Sequence, residues 1–267
     1  MATPRSPLIT VMTAAAQKAG RALMRDFGEV EQLQVSKKGP ADFVSRADRK
    51  AEEIVVEELQ KARPAYGFLL EEQGEIAGGD ISNRWIVDPL DGTTNFLHGI
   101  DHFAVSIALE RDRRLEAGVV YAPVHDQMYF AERGQGAFLN DRRVRVSSRV
   151  DVAASLFATG IPFLGRPGHA EFLTELEAVM AGSAGVRRMG TASLDLAYVA
   201  AGRYDGFWES GLQPWDMAAG IVLVREAGGL VTDMGGRDRM LDSGDIVATN
   251  AALDRDFRKL LRDAVRR

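Results

Sequence analysis

The sequence predicts an α/β protein in which helices are layered on sheets, and three observations predict it. Two helices are read in roughly the first 60 residues; short apolar runs that end in acids then lead into a strand meander; and from about residue 150 strands alternate with helices.

Leu8, Val11, Met12, Ala15, Ala19, Ala22 and Leu23 fall on one stripe and predict an amphipathic helix. The stripe continues past Lys18 and Arg21, so the Arg5 and alanine-rich start is read as part of the fold and not as a cleaved leader. A second helix is predicted over 45–62, where Ser45-Arg46-Ala47-Asp48 has the capping-box pattern and Pro64 follows the end. Phe68-Leu69-Leu70 and Trp85-Ile86-Val87 read as short buried strands, each running straight into an acid, Glu71 and Asp88. Residues 104–109, 115–121 and 127–131 predict an antiparallel meander with a turn at 122–126. Beyond it, strands are expected near 155–158, 186–189, 205–208, 230–232 and 246–248, and helices over 170–180, 193–201 and 214–227. A soft change of composition near 144–152 divides the chain into two closely packed subdomains, 1–150 and 151–267.

Composition excludes several classes of function. With 46% hydrophobic and 27% charged residues the chain is neither disordered nor fibrous. A net charge of -5, with no basic run outside 262–267, leaves no footprint for nucleic acid and points to a small-molecule partner. No apolar stretch is long enough to span a membrane. The chain has 0 cysteines, which agrees with a cytoplasmic protein and leaves oxygen or imidazole as the only metal donors. His98, His102, His125 and His169 have no ligand spacing and read as loop or surface residues.

The densest chemistry is in Trp85-Ile86-Val87-Asp88-Pro89-Leu90-Asp91-Gly92-Thr93-Thr94-Asn95, where two carboxylates face one small volume at the end of a buried strand. One reading is a polar turn in which Asp91 caps a short helix and Pro89 fixes φ. The other is a cation site, because Glu71 ends a neighbouring apolar run and converging buried acids are costly unless protons or cations neutralise them. Oxygen-only donors select hard cations such as Mg²⁺. Gly92, Thr93 and Thr94 would then offer backbone N–H groups to an anion beside the cation.

These residues resemble the inositol monophosphatase family, whose metal motif W-x-[IV]-D-P-[IL]-D-G-T-x-N matches Trp85 to Asn95 at every fixed position. A second family signature is met by Trp215-Asp216-Met217-Ala218-Ala219-Gly220 through Glu226-Ala227-Gly228-Gly229. Lys38-Gly39, Asp42 to Asp48, Glu71-Glu72, Gly190-Thr191-Ala192 and Asp205 to Glu209 extend the resemblance over nearly the whole chain, and 159–163 and 194–203 are similar to bacterial members.

The resemblance implies the αβαβα sandwich shared with fructose-1,6-bisphosphatase, with the site between the subdomains. It implies that Glu71, Asp88 and the Leu90 carbonyl hold one Mg²⁺, that Asp88, Asp91 and Asp216 hold a second, and that Glu71 contacts a third through water. Two ions would cancel the four acidic charges, and a third would leave an excess for a phosphate dianion. Glu71, Thr93 and Asp48 are implied as catalytic residues, the last two orienting the attacking water. Asp91, Gly92, Thr93, Gly190, Thr191, Ala192 and Glu209 are implied to line the substrate. Taken without the resemblance, Asp48 could be only a cap, Asp216 an acid complementing a helix dipole, Glu209 a surface acid at a strand end, and Gly190 to Ala192 a helix-entry turn.

The expected reaction is hydrolysis of inositol 1-phosphate by direct in-line attack of a metal-activated water, since neither a cysteine nor a well-placed histidine offers a covalent route. Lithium sensitivity and a homodimer, with Arg187 and Arg188 solvated or near the interface, follow from the resemblance. Fructose-1,6-bisphosphatase, 3′-phosphoadenosine 5′-phosphate phosphatase and histidinol-phosphate phosphatase are rival activities on this scaffold. A regulatory partner of the transcription machinery is the rival of another class.

Overall fold

The computed structural model describes residues 5–27, 35–37 and 43–266. Lys38, Gly39 and Asp42, three positions of the family resemblance, and the side chain of Ser45 lie outside the described residues.

Helix α1 (Pro7–Phe27) buries Met12, Ala15, Ala19, Ala22 and Leu23 on the stripe that the spacing predicts. A ribbon of β1 (Val35–Lys37) antiparallel to β2 (Phe43–Ser45) leads into α2 (Arg46–Ala62), whose Ala51, Val55 and Leu59 turn to the same core. Eight strands follow: β3 (Tyr66–Leu70), β4 (Gly74–Ile76), β5 (Asp80–Asp91), β6 (Ala104–Arg111), β7 (Arg114–Ala122), β8 (Gln127–Glu132), β9 (Gly136–Leu139) and β10 (Arg142–Val144). They form one sheet in the order β10-β9-β8-β7-β6-β5-β3-β4, antiparallel throughout except for the β3–β5 pair. A short helix, α3 (Thr93–Leu97), sits between β5 and β6.

The second sheet takes β11 (Leu156–Thr159), β12 (Gly185–Arg187), β13 (Gly206–Glu209), β14 (Gly229–Thr232) and β15 (Ile246–Asn250) in the order β12-β11-β13-β15-β14, its first three strands parallel. Its helices are α4 (His169–Gly182), α5 (Ala192–Ala200), α6 (Pro214–Glu226), α7 (Met240–Ser243) and α8 (Asp254–Val265).

The layers follow from which side chains share a core. α1 and α2 cover one face of the large sheet, α5 and α6 fill the space between the sheets, and α4 and α8 cover the outer face of the small sheet. That is the αβαβα order. Because strand side chains alternate with period two, β6 sends Val105, Ile107 and Leu109 to the α1–α2 side and Ala104 and Ala108 to the α5–α6 side. Small residues on the inner face let α6 approach closely: a Cβ on Gly118 of β7 would lie 2.5 Å from the Ala219 carbonyl. Large residues on the other face supply the burial, each worth roughly 1.5–3 kcal/mol.

The structure corrects several sequence expectations. β5 does not stop at Val87 but runs to Asp91, so Asp88 lies inside a strand, with the pairing to β6 irregular between Asp88 and Asp91. The proline at 89 removes a donor there, and the ladder skips past it. β1, β2, β4, β9 and β10 are too short to show a period, and α8 hides behind its charges although Phe257, Leu261 and Ala264 form a helical stripe. His102 is buried, with 5% exposure, and not a surface residue. No helix among the described residues is long and apolar enough to cross a membrane.

Candidate active site

Four acids converge where β3 and β5 end and α6 begins. Glu71 follows β3 directly, its N–H donating to the Val87 carbonyl at 3.3 Å, and its carboxyl hydrogen-bonds with Asp88. A buried carboxylate of Glu52, on α2, accepts the N–H of Glu72 at 2.9 Å and so holds the turn after β3. Asp88 Oδ1 accepts from the Leu90 N–H at 3.0 Å. The Leu90 carbonyl accepts from Thr93 Oγ1 at 3.0 Å.

Asp91 is the hinge of the arrangement. Its Oδ2 accepts the N–H of Ser193 at 2.7 Å, in the first turn of α5. Burial holds its carboxyl up at about 6 in spite of the bonds from Ser193, Ala192 and Gly92. Asp88 is pushed well above the usual carboxylate range by burial and then by Glu71, Asp91 and Asp216. Asp216 caps its own helix, accepting the Gln213 N–H at 2.7 Å, yet burial and the charge of Asp91 push it up as well. The capping role and membership of the acidic cluster are therefore both real in this residue.

Among the described residues no group of three or more acids or histidines stands in a geometry that could hold a metal ion. The donor set nonetheless fits a hard divalent cation. Every donor is oxygen, and the groups that raise Asp88 after burial are themselves acids, so a cation relieves both the desolvation and the repulsion.

Gly92 adopts φ 91, a left-handed conformation natural only to glycine, and a Cβ there would lie 2.6 Å from Thr191 Oγ1. α3 has only 5 residues, so any anion affinity at Gly92 to Thr94 rests on individual N–H groups more than on a helix dipole. Gly190 turns with φ 82 into Thr191, whose hydroxyl donates to the His102 carbonyl at 3.0 Å, and α5 starts at Ala192. Asn95 Nδ2 donates to the carbonyls of His102 and Met189, both at 2.8 Å, and ties the Gly190 turn to α3. Glu209 ends β13, and burial with the charge of Asp91 raises it to about 8, against the pull of Arg188 and Arg166. Arg188 is thus exposed but electrostatically part of the site's rim. Asp48 is buried in the first turn of α2, with 1% exposure, unlike an ordinary solvent-facing cap acid.

Sequence reasoning missed Glu52, Asn95 as a cross-brace, Ser193 and Asp195. Glu52 had a signal, lying one helical turn beyond Asp48 on the same face of α2. Asp195 is 1% exposed and pushed well up by burial and by Glu209 and Asp91. Its helix reads as apolar on every side, which masks it.

Comparison with known proteins shows the family to which the chain belongs. The sequence pattern of the inositol monophosphatase family matches residues 5–266. The chain belongs to the inositol monophosphatase family. Family membership places it among the phosphoric monoester hydrolases. It is 60% identical over 258 residues to the inositol-1-monophosphatase of Mesorhizobium japonicum, covering 97% of both chains. It is also 42% identical to the Nus factor SuhB of Salmonella typhimurium, over 98% of this chain and 99% of that one. The crystal structure of the extragenic suppressor protein SuhB from Bartonella henselae, 59% identical, superposes with a TM-score of 0.94 over 96% of this chain and 99% of that one. The inositol monophosphatase from Anabaena, 34% identical, gives 0.85 over 96% and 95%. The two solved structures share the layered fold described above.

Proposed function

We propose that the protein is a Mg²⁺-dependent phosphatase that hydrolyses inositol 1-phosphate to inositol and phosphate. One observation carries the reading: the convergence of Glu71, Asp88, Asp91 and Asp216 at the junction of β5, α5 and α6, where Asp88 is pushed up by burial and then by the other three acids. Such a cluster is unfavourable by itself and becomes favourable with divalent counter-charge. Glu71, Asp88 and the Leu90 carbonyl are the proposed holders of one ion and Asp88, Asp91 and Asp216 of a second, with a third reached by Glu71 through water. When bound, Mg²⁺ supplies charge to the phosphate and makes water more acidic.

The chain's own residues do the rest. Thr93 Oγ1 directs its proton at the Leu90 carbonyl, which leaves its lone pairs to accept a hydrogen bond from the attacking water. Asp48 and Glu71 complete the orientation of that water. Its oxygen forms a bond to phosphorus as the ester P–O bond breaks in line, and the proton that the water gives up passes to the departing inositol oxygen. Gly92, Thr93, Gly190, Thr191 and Ala192 line the phosphate and ring, and Glu209 accepts hydrogen bonds from ring hydroxyls. We place the site between subdomains 1–150 and 151–267 of a cytoplasmic homodimer, and expect Li⁺ to inhibit by competing at the second cation position.

The test is phosphate release from inositol 1-phosphate, fructose 1,6-bisphosphate, 3′-phosphoadenosine 5′-phosphate, histidinol phosphate and glycerol 2-phosphate, with and without Mg²⁺ and across LiCl against matched NaCl. Inositol 1-phosphate is expected to show the highest kcat/KM; a higher value for another ester would reassign the substrate. Relatives named Nus factor SuhB support a second reading, a regulatory role beside the transcription machinery. Binding to that machinery by an Asp91→Asn variant that has lost turnover would separate the two roles.

A further inference from the structure

The ends of two parallel strands, β11 and β13, come near the acidic cluster, where Glu209 at the end of β13 feels the charge of Asp91. Their register pairs Phe157 with Gly206, Ala158 with Phe207 and Thr159 with Trp208, and Gly160 and Glu209 are the next residues along the two chains. Thr159 Oγ1 fastens the two ends, donating to the Trp208 carbonyl at 2.7 Å and lying 3.0 Å from the Gly160 carbonyl. Side chains at paired positions of neighbouring strands leave the sheet on the same side, so a side chain at position 160 would point where Glu209 points.

Gly160 is buried and has none. A Cβ built on it would lie 1.9 Å from Glu209 Oε1, 2.0 Å from its Cδ and 2.2 Å from Oε2. The three nearest atoms all belong to one carboxyl group, at the tip of a flexible side chain, and none belongs to backbone. Gly160 also lacks the positive φ that would make glycine necessary for conformation. What the missing side chain provides at this position is room for one carboxylate.

We propose that Gly160 is a specificity-determining positioning residue, its bare Cα forming the berth that holds the Glu209 carboxylate where it can meet hydroxyls of a polyol phosphate. The inference rests on the reading of Glu209 as the hydroxyl acceptor. A methyl group at position 160 displaces the carboxylate while leaving the phosphate end of the site, on Asp91 and the Gly92 and Gly190 turns, in place. Simple esters without ring hydroxyls are indifferent to that displacement.

The test measures kcat/KM for inositol 1-phosphate and glycerol 2-phosphate in the parent, Gly160→Ala, Glu209→Gln and the double variant. Gly160→Ala is expected to lower the ratio of the two values by roughly 10-fold, through KM for inositol 1-phosphate, as expected for lost charge-assisted hydrogen bonds. In the Glu209→Gln background the same substitution should add almost nothing. An unchanged ratio in Gly160→Ala, or effects that multiply in the double variant, overturn the proposal. The Glu209 reading is judged by Glu209→Gln alone: an unchanged ratio there removes that reading and this proposal with it. Urea unfolding supplies a readout without catalysis. Any stability cost of Gly160→Ala should vanish in a Glu209→Ala background, where the obstructing atoms are gone; a cost, or a failure to fold, that persists there places the clash elsewhere and overturns the proposal.

Discussion

The carboxylate of Asp91, at the end of β5, accepts the backbone N–H of Ser193, in the first turn of α5, at 2.7 Å across 102 residues of sequence. One acid thereby pins the large sheet to the helices between the sheets while belonging to the cluster proposed to hold cations. Asp91→Asn keeps an acceptor for Ser193 and removes the charge, so its stability is expected to stay within about 1 kcal/mol of the parent while phosphate release is lost. Asp91→Ala should lose both turnover and roughly 1.5–3 kcal/mol in urea unfolding. Turnover by Asp91→Asn near the parental rate would remove Asp91 from the chemistry.

Asp91 also sets a pH dependence. Its folded value of about 6 lies above the ordinary 3.8, so the stability of its protonated form is fully present below the unfolded value and is lost as pH rises through the folded one. Asp88 and Asp216 are raised in the same direction. Without divalent ions the protein should therefore soften as pH rises from the ordinary 3.8 through about 6, and bound Mg²⁺ restores it by about 2.7 kcal/mol at a hundred times its dissociation constant. The rise in melting temperature caused by Mg²⁺ is expected to be larger at pH 8 than at pH 5.5. Equal shifts at both would mean that the ion binds away from these acids.

Glu175 gives an independent case, remote from the cluster. Its Oε2 accepts the indole N–H of Trp208 at 3.2 Å, and burial raises it to about 7 from 4.5. Its contribution is again present below the unfolded value and lost as pH rises through about 7. Glu175→Gln should remove up to about 3 kcal/mol of that decline between pH 5 and pH 8, measured by urea unfolding. A parallel decline in parent and variant would contradict the assignment.

Long periodic elements were legible in the sequence. The α1 stripe from Leu8 to Leu23, the meander from Ala104 to Ala131 and the αβαβα layering implied by the family motifs correspond to what the structure holds. Elements of three or four residues, such as β4 and β10, have too few positions to express a period. Asp88 was misplaced at a strand end because a proline at 89 reads as a terminator, whereas β5 carries it past an irregularity in its pairing. At the site, the acids were legible as residue types and motif positions, but their company was not. Ser193 meets Asp91 through a backbone N–H, which has no side-chain signature. Gly160 meets Glu209 through the absence of one. Asp195 lies buried in a helix apolar on every side, where neither period nor charge pattern marks it.

The central claim is that the Glu71, Asp88, Asp91 and Asp216 cluster works only with divalent counter-charge. It is tested most directly by steady-state hydrolysis of inositol 1-phosphate by chelator-treated protein as Mg²⁺ is returned. Activity is expected to be absent in the stripped protein and to return with Mg²⁺; phosphate release by the stripped protein at the full rate would contradict the claim.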